Sequence, residues 1–145
     1  MPDVANETYT SETIRLLENR VSIRNYSDEL VPDEMVEAVL RSAFRAPTSS
    51  NIQSYTVIVV RNPETRQKLS VVTGGQKHVA ETPVFLAFCA DMTRIDYALM
   101  KHQHNLNGNN METGLVTSID VALVGMSAYL TAESLGLRGL MLGAV

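Results

Sequence analysis

Two uninterrupted apolar runs, Tyr55 to Val60 (YTVIVV) and Val84 to Ala90 (VFLAFCA), constrain this chain more than any other feature. A strand with one wet face alternates polar and apolar residues, whereas these runs do not alternate and are rich in β-branched and aromatic residues. Each therefore predicts a strand buried on both faces, which requires helices packed on either side of a sheet. The segment between the runs supplies one such helix: Asn62 and Pro63 suit its N-cap and first turn, it extends to about Val72, and Gly74 and Gly75 break it. Buried strands alternating with helices predict an α/β or α+β sandwich with a partly parallel sheet flanked by helices. Residues 1–145 are expected to form one domain, long enough to bury a core without disulfide or metal staples.

The other helices follow from caps and periodicity. Thr10 or Ser11 caps a helix with Ile14, Leu17 and Val21 at helical spacing. Pro32 suits the first turn of a second helix, Asp33 and Glu34 its positive end, and Met35, Val36, Val39, Leu40, Ala43 and Phe44 form its apolar stripe until Pro47 stops it. Residues Thr93 to Asn105 are helix-compatible but mixed, Asn105 to Asn110 (NLNGNN) is a loop by composition, and a long helix is expected from Thr113 to Leu135 with Gly136 just past its end. Within it, the window Gly114 to Ala132 carries Asp120 as its single formal charge and approaches the length of a membrane span. Thr117, Ser118, Asp120, Ser127 and Thr131 interrupt that window and no basic anchor flanks it closely, so the expectation is a buried helix of a soluble protein, with no membrane as partner. Asp120 would pair at a helix interface or cap a partner group. Gly139 to Val145 (GLMLGAV) begins a third apolar strand where the sequence stops, leaving a sheet edge and much of the long helix to be covered by another chain or by further sequence.

Charge and cysteine content narrow the chemistry. With 12 Lys and Arg against 16 Asp and Glu the formal charge is -4, so no global field attracts nucleic acid or an anionic membrane, and any anion site must be local. The single cysteine, Cys89, permits neither an internal disulfide nor a cysteine metal cage and reads as a core residue. The start of the chain lacks a basic n-region and an apolar h-region, and both observations suit a reducing cytoplasm. His102 and His104 stand two apart with no third ligand placed nearby, and no GxSxG, P-loop or GxGxxG pattern is present.

Three places concentrate polar groups. In NRVSIRNY, Arg20, Ser22 and Arg24 can converge on one anion, phosphate fitting best, or stand as solvated surface charges. In APTSSNIQSY, Thr48, Ser49, Ser50, Asn51 and Gln53 put five uncharged hydrogen-bonding side chains at the entrance to a strand, as a ligand loop or as turn chemistry. In TGGQKHV, Gly74 and Gly75 allow close backbone approach to a flat or charged ligand, while Gln76, Lys77 and His78 add donors, acceptors and charge.

Together, R-x-S-I-R-x-Y, A-P-T-S-S-x-x-Q, TGGQKHV and AESLGLRGLMLGAV resemble the motifs of the FMN-dependent nitroreductases, in their order. TGGQKHV with FCAD (Phe88 to Asp91) is most similar to the NADPH-linked, oxygen-insensitive nitroreductase and flavin reductase subgroup. The likeness runs from about Arg15 to Val145. It implies a nitroreductase-like fold, a homodimer, FMN as cofactor and NADPH or NADH as co-substrate. Hydride would pass through flavin N5 to nitroaromatics, quinones or free flavin in a ping-pong cycle. It further implies that Arg20, Ser22 and Arg24 grip the FMN phosphate and ribityl chain, and that Pro47, Thr48, Ser49 and Asn51 reach across the dimer to the partner's flavin. Gln76 would bond the polar edge of the ring, Lys77 would lie near the ring or nicotinamide, and Met141, Gly143 and Ala144 would bring backbone groups close to N5. No side chain is assigned a catalytic role, because the flavin carries the redox chemistry. Two departures stand out: Val21 occupies a position usually held by Arg, and the family's further core strand, Lys-Pro-Arg motif and C-terminal arm have no counterpart here. The resemblance therefore also admits a truncated relative that at most binds flavin or a partner chain.

Overall fold

The computed structural model describes residues 10–106 and 110–143. In chain order the elements are α1 (Glu12–Asn19), α2 (Asp33–Ala43), a 3-10 turn (Ser49–Asn51), β1 (Tyr55–Val60), α3 (Pro63–Val72), α4 (Lys77–Glu81), β2 (Phe85–Ala90), α5 (Thr93–Lys101) and α6 (Met111–Ser134). Local chemistry explains their ends. The Ser11 hydroxyl accepts the Ile14 N–H at 3.2 Å, Asn62 accepts that of Thr65 at 2.9 Å, and Asn110 accepts that of Thr113 at 2.8 Å, each satisfying a first-turn donor. The long helix thus starts slightly earlier than periodicity alone indicates. Gly136, at φ +82°, ends it in the left-handed conformation that glycine adopts without penalty.

The sheet differs from the expected partly parallel arrangement. Among the described residues it is one antiparallel pair, with Tyr55 opposite Ala90 and Val60 opposite Phe85. A single crossover helix would return the chain for a parallel strand; here α3 and α4 pack on each other and bring it back in the opposite sense. Burial on both faces is also only partial. Tyr55 and Val60 are buried, but Ile58 is 50% and Val59 37% exposed, and no residue of β2 is fully buried. The expected third strand forms no ladder over residues 139–143, because no strand among the described residues lies alongside; the Gly139 carbonyl accepts the Ile23 N–H at 2.9 Å instead.

The core lies where α6 crosses α2 and one face of the sheet. Val39, Ala43, Tyr55, Val124 and Ala128 are buried there, against Val57, Leu86 and Phe88. Helix α6 is long and apolar enough to cross a membrane by length and composition. In this fold it packs on α2 and β2 and buries two carboxylates, Asp120 and Glu133, which would be costly against lipid. Its N-terminal half also presents an exposed apolar stripe at four-residue spacing: Met111, Leu115, Ile119 and Leu123.

Candidate functional site

Residues 20–26 run without regular structure from the end of α1 across the C-terminal half of α6. Ile23 anchors the strip to Gly139 through its backbone, and the Tyr129 hydroxyl reaches the Val21 carbonyl at 3.4 Å. The first and last sequence motifs are thereby adjacent. Arg20, Ser22 and Arg24 are exposed, and among the described residues neither guanidinium has a carboxylate at ion-pair distance. Arg20 stacks its guanidinium carbon 5.6 Å above the Tyr129 ring, which orders it without neutralising it. Burial pushes the Tyr26 hydroxyl above its ordinary pKa, with the nearby Arg24 charge pulling the other way.

A cavity of about 510 Å³ opens beside this strip, within the roughly 300–1,000 Å³ usual for small-molecule sites. Its walls include Tyr26 and Tyr129 from the strip side, Thr73 and His78 from the TGGQKHV region, and Gly139 and Met141 from the end segment. Phe88 of β2 and Gly125 of α6 close its floor, where a Cβ on Gly125 would lie 3.5 Å from Met141 Cε. The His78 Nε2 is buried and has no hydrogen-bond partner among the described residues. Three of the four motifs therefore meet at one largely apolar cavity.

The side chains expected to work in TGGQKHV are turned to local tasks. The Gln76 amide donates to the Thr73 carbonyl at 2.7 Å, closing the turn that Gly74 and Gly75 make at positive φ. Lys77 is exposed and pairs with Glu81 at 2.8 Å, which raises its pKa. Neither lines the cavity; His78, one position on, does. Gly143 ends the described residues and Ala144 lies outside them.

The serine loop sits elsewhere. Its Ser49 N–H donates to Asp120 Oδ1 at 3.0 Å and the adjoining Ser54 hydroxyl donates to Oδ2 at 3.1 Å, so Asp120 caps a partner group as its place in the sequence suggested. Asp120 and Tyr129 are about two and a half turns apart on α6, roughly 14 Å along the axis at about 1.5 Å per residue. The loop is thus separated from the arginine strip and lies level with the exposed stripe of α6. Ser50, Asn51 and Gln53 have φ of +49°, +56° and +55°, a left-handed run unfavourable for non-glycine residues and of the kind that concentrates at functional loops. Pro47 and Thr48 lead into it, with Thr48 extended before the turn.

Some contributors were not visible beforehand. Arg94 of α5 donates to the Gln53 carbonyl at 2.7 Å and the Tyr55 carbonyl at 3.0 Å, with its guanidinium carbon 5.8 Å over the Tyr55 ring. Asp91 accepts hydrogen bonds from the Thr56 hydroxyl and from the hydroxyl and N–H of Thr93, which hold its pKa down at about 2. Glu133, almost fully buried, pairs with the half-exposed Arg138 at the far end of α6. Spacing carries no signal for Arg94, whose partners are 41 and 39 residues away.

The sequence matches the nitroreductase family model over residues 17–145. This chain belongs to the nitroreductase family. It is 39% identical over 137 residues to an FMN reductase [NAD(P)H] of Bacillus subtilis, covering 93% of this chain and 55% of that protein. It is 38% identical over 135 residues to an oxygen-insensitive NADPH nitroreductase of Salmonella typhimurium, again 93% against 55%. Among solved nitroreductase-like structures, NfrA2 of B. megaterium superposes with a TM-score of 0.91 at 36% identity, covering 93% of this chain and 55% of that one. The NADPH:FMN oxidoreductase of Vibrio harveyi, solved with NAD+, gives 0.85 at 26% identity, with 91% and 56% covered. The α+β nitroreductase fold is established by these likenesses, and the chain spans about half the length of the curated relatives it matches.

Proposed function

We propose that this chain carries the FMN site of an NAD(P)H-dependent oxidoreductase that reduces nitroaromatics, quinones or free flavin in a ping-pong order, working as a cytoplasmic homodimer. The observation that carries this reading is the meeting of three motifs around one cavity, one of them the strip whose Tyr26 lines it and whose Arg20 and Arg24 have no carboxylate at ion-pair distance among the described residues. The donor set fits the cofactor. In a chain of net charge -4, Arg20 and Arg24 have no carboxylate to neutralise among the described residues, and Ser22 adds a hydroxyl between them, which suits a phosphate dianion. The apolar cavity beyond suits a flat ring.

When bound, FMN supplies the two-electron redox capacity. The work of the protein is then to bind and orient. Arg20 and Arg24 would neutralise the phosphate, the backbone at Met141, Gly143 and Ala144 would address the ring, and the cavity walls would exclude water. Gln76 would reach the ring edge by exchanging its bond to the Thr73 carbonyl, and Lys77 by leaving Glu81. Pro47, Thr48, Ser49 and Asn51 serve the flavin of a second protomer, a reading supported by the distance of their loop from the arginine strip and by its position level with Met111, Leu115, Ile119 and Leu123. Burying that stripe against its copy would remove apolar surface that a monomer leaves in water.

A second reading, flavin binding without turnover, is favoured by the half-covered sheet, in which β2 has no fully buried residue. Purified chain is titrated with FMN and then assayed for NADPH and NADH oxidation with nitrofurazone and a quinone. Saturable flavin binding with turnover supports the first reading, and binding without turnover the second. Protein that stays colourless in excess FMN sinks both.

A further inference from the structure

We propose that Asp120 and Arg94 are positioning residues that clamp the serine loop in its flavin-facing conformation, an inference resting on the flavin reading above. Three non-glycine residues of this loop hold left-handed backbone, and local bonds alone account poorly for that. The side-chain bond within the loop, Gln53 Nε2 to Asn51 Oδ1, is 3.3 Å long, and the turn is otherwise closed by single backbone bonds such as Ile52 N–H to the Ser49 carbonyl. Strained backbone persists where surrounding structure over-determines it. Here the determinants arrive from two helices and have opposite polarity. From α6, Asp120 uses both carboxylate oxygens, one on the Ser49 N–H and one on the Ser54 hydroxyl. From α5, Arg94 uses one nitrogen on the carbonyls of Gln53 and Tyr55. The loop is therefore gripped by an acceptor at its start and by a donor at its end.

Asp120 is an expensive way to fill a core position. It is 1% exposed and, among the described residues, has no cation at ion-pair distance, whereas an apolar side chain of similar size would pack there without desolvating a charge. What the carboxylate adds is a fixed location for the Ser49 amide. A purely structural role would lower stability when Asp120 or Arg94 is changed, without selectively loosening the loop or altering flavin affinity.

The test compares wild type, Asp120→Ala, Asp120→Asn and Arg94→Ala, with Arg41→Ala as a surface control, by two readouts. The first is amide hydrogen exchange of the flavin-free protein over residues 48–54 relative to the middle of α6; the second is FMN titration by flavin fluorescence. In Asp120→Ala the loop should exchange about tenfold faster and the FMN dissociation constant should rise about tenfold, or about 1.4 kcal/mol. Asp120→Asn can still accept from Ser49 and donate to Ser54, and should retain affinity within about threefold of wild type, since one neutral bond replaces a charge-assisted one. Arg94→Ala should move both readouts in the same direction. If Asp120→Ala fails to fold, Arg94→Ala decides, since that side chain is exposed. Unchanged loop exchange, faster exchange with unchanged FMN affinity, or Asp120→Asn behaving like Asp120→Ala would each overturn the proposal while wild-type binding still stands. Wild type without saturable binding removes the flavin reading and this proposal together.

Discussion

Replacing Arg24 with Ala tests the phosphate assignment at small cost to the fold. The side chain is exposed and makes no ion pair among the described residues, so its removal should leave stability nearly unchanged, as for ordinary surface positions. On binding, it would contribute one charge-assisted hydrogen bond to the phosphate, worth about 1.5–3 kcal/mol. At about 1.4 kcal/mol per decade, that predicts a roughly 10- to 100-fold rise in the FMN dissociation constant. Riboflavin, which shares the ring and ribityl chain but lacks the phosphate, provides the internal control. The assay is quenching of flavin fluorescence for wild type, Arg24→Ala and Arg41→Ala with each flavin. Arg24→Ala should lose FMN affinity and leave riboflavin affinity unaltered, and the difference should shrink as salt screens the exposed contact. Arg41, in the last turn of α2, should be silent with both flavins. Equal weakening toward FMN and riboflavin, or an equal loss in Arg41→Ala, would refute the assignment of the phosphate to this strip.

Three further outcomes follow from the packing and the titrating groups. Gly125→Ala adds a methyl whose nearest neighbours lie at 3.5 and 3.9 Å, ordinary contact distances, so the better helix propensity of Ala should raise stability by about 0.5–1 kcal/mol in urea unfolding; a loss would mean that Met141 and Phe88 cannot give way. Arg138→Ala strands the buried Glu133 carboxylate, one oxygen of which already lacks a partner, and should cost about 2 kcal/mol after allowing for the exposure of Arg138; adding Glu133→Gln should recover part of it. Asp91 titrates at about 2 instead of 3.8 because the bonds from Thr56 and Thr93 favour its charged form. Its folded pKa is depressed, so its contribution is present above pH 3.8 and is lost as pH falls toward about 2. Carboxyl NMR should register a rise toward the ordinary value in Thr56→Val, and an unmoved titration would exclude Thr56 as the main cause.

The serine loop and the arginine strip illustrate what residue order alone can and cannot disclose. Arg20, Ser22 and Arg24 stood out as a candidate anion-binding set because their chemistry and alternation lie within five consecutive residues. Asp120 could be read as a pairing or capping group in an apolar helix, but nothing near it in the chain named the groups it would cap. Its partners, Ser49 and Ser54, are 71 and 66 residues away, and the Tyr129 hydroxyl reaches a carbonyl 108 residues away. Gln76 was chosen for its amide, yet that amide closes its own turn, while the neighbouring His78 faces the cavity.

The sequence by itself determined a helix start at Thr10 or Ser11 and another at Asn62, the left-handed stop at Gly136, the positions of both strands and the local positive charge of residues 20–24. Each depends on groups within a few positions of one another, where backbone geometry fixes the contact. Tertiary structure decided the antiparallel sense of the sheet, the meeting of three motifs around one cavity and the capture of the serine loop by Asp120 and Arg94. These depend on which surfaces bury one another when α3 folds back on α4 and α6 crosses the sheet, and that choice belongs to the packing of the whole chain.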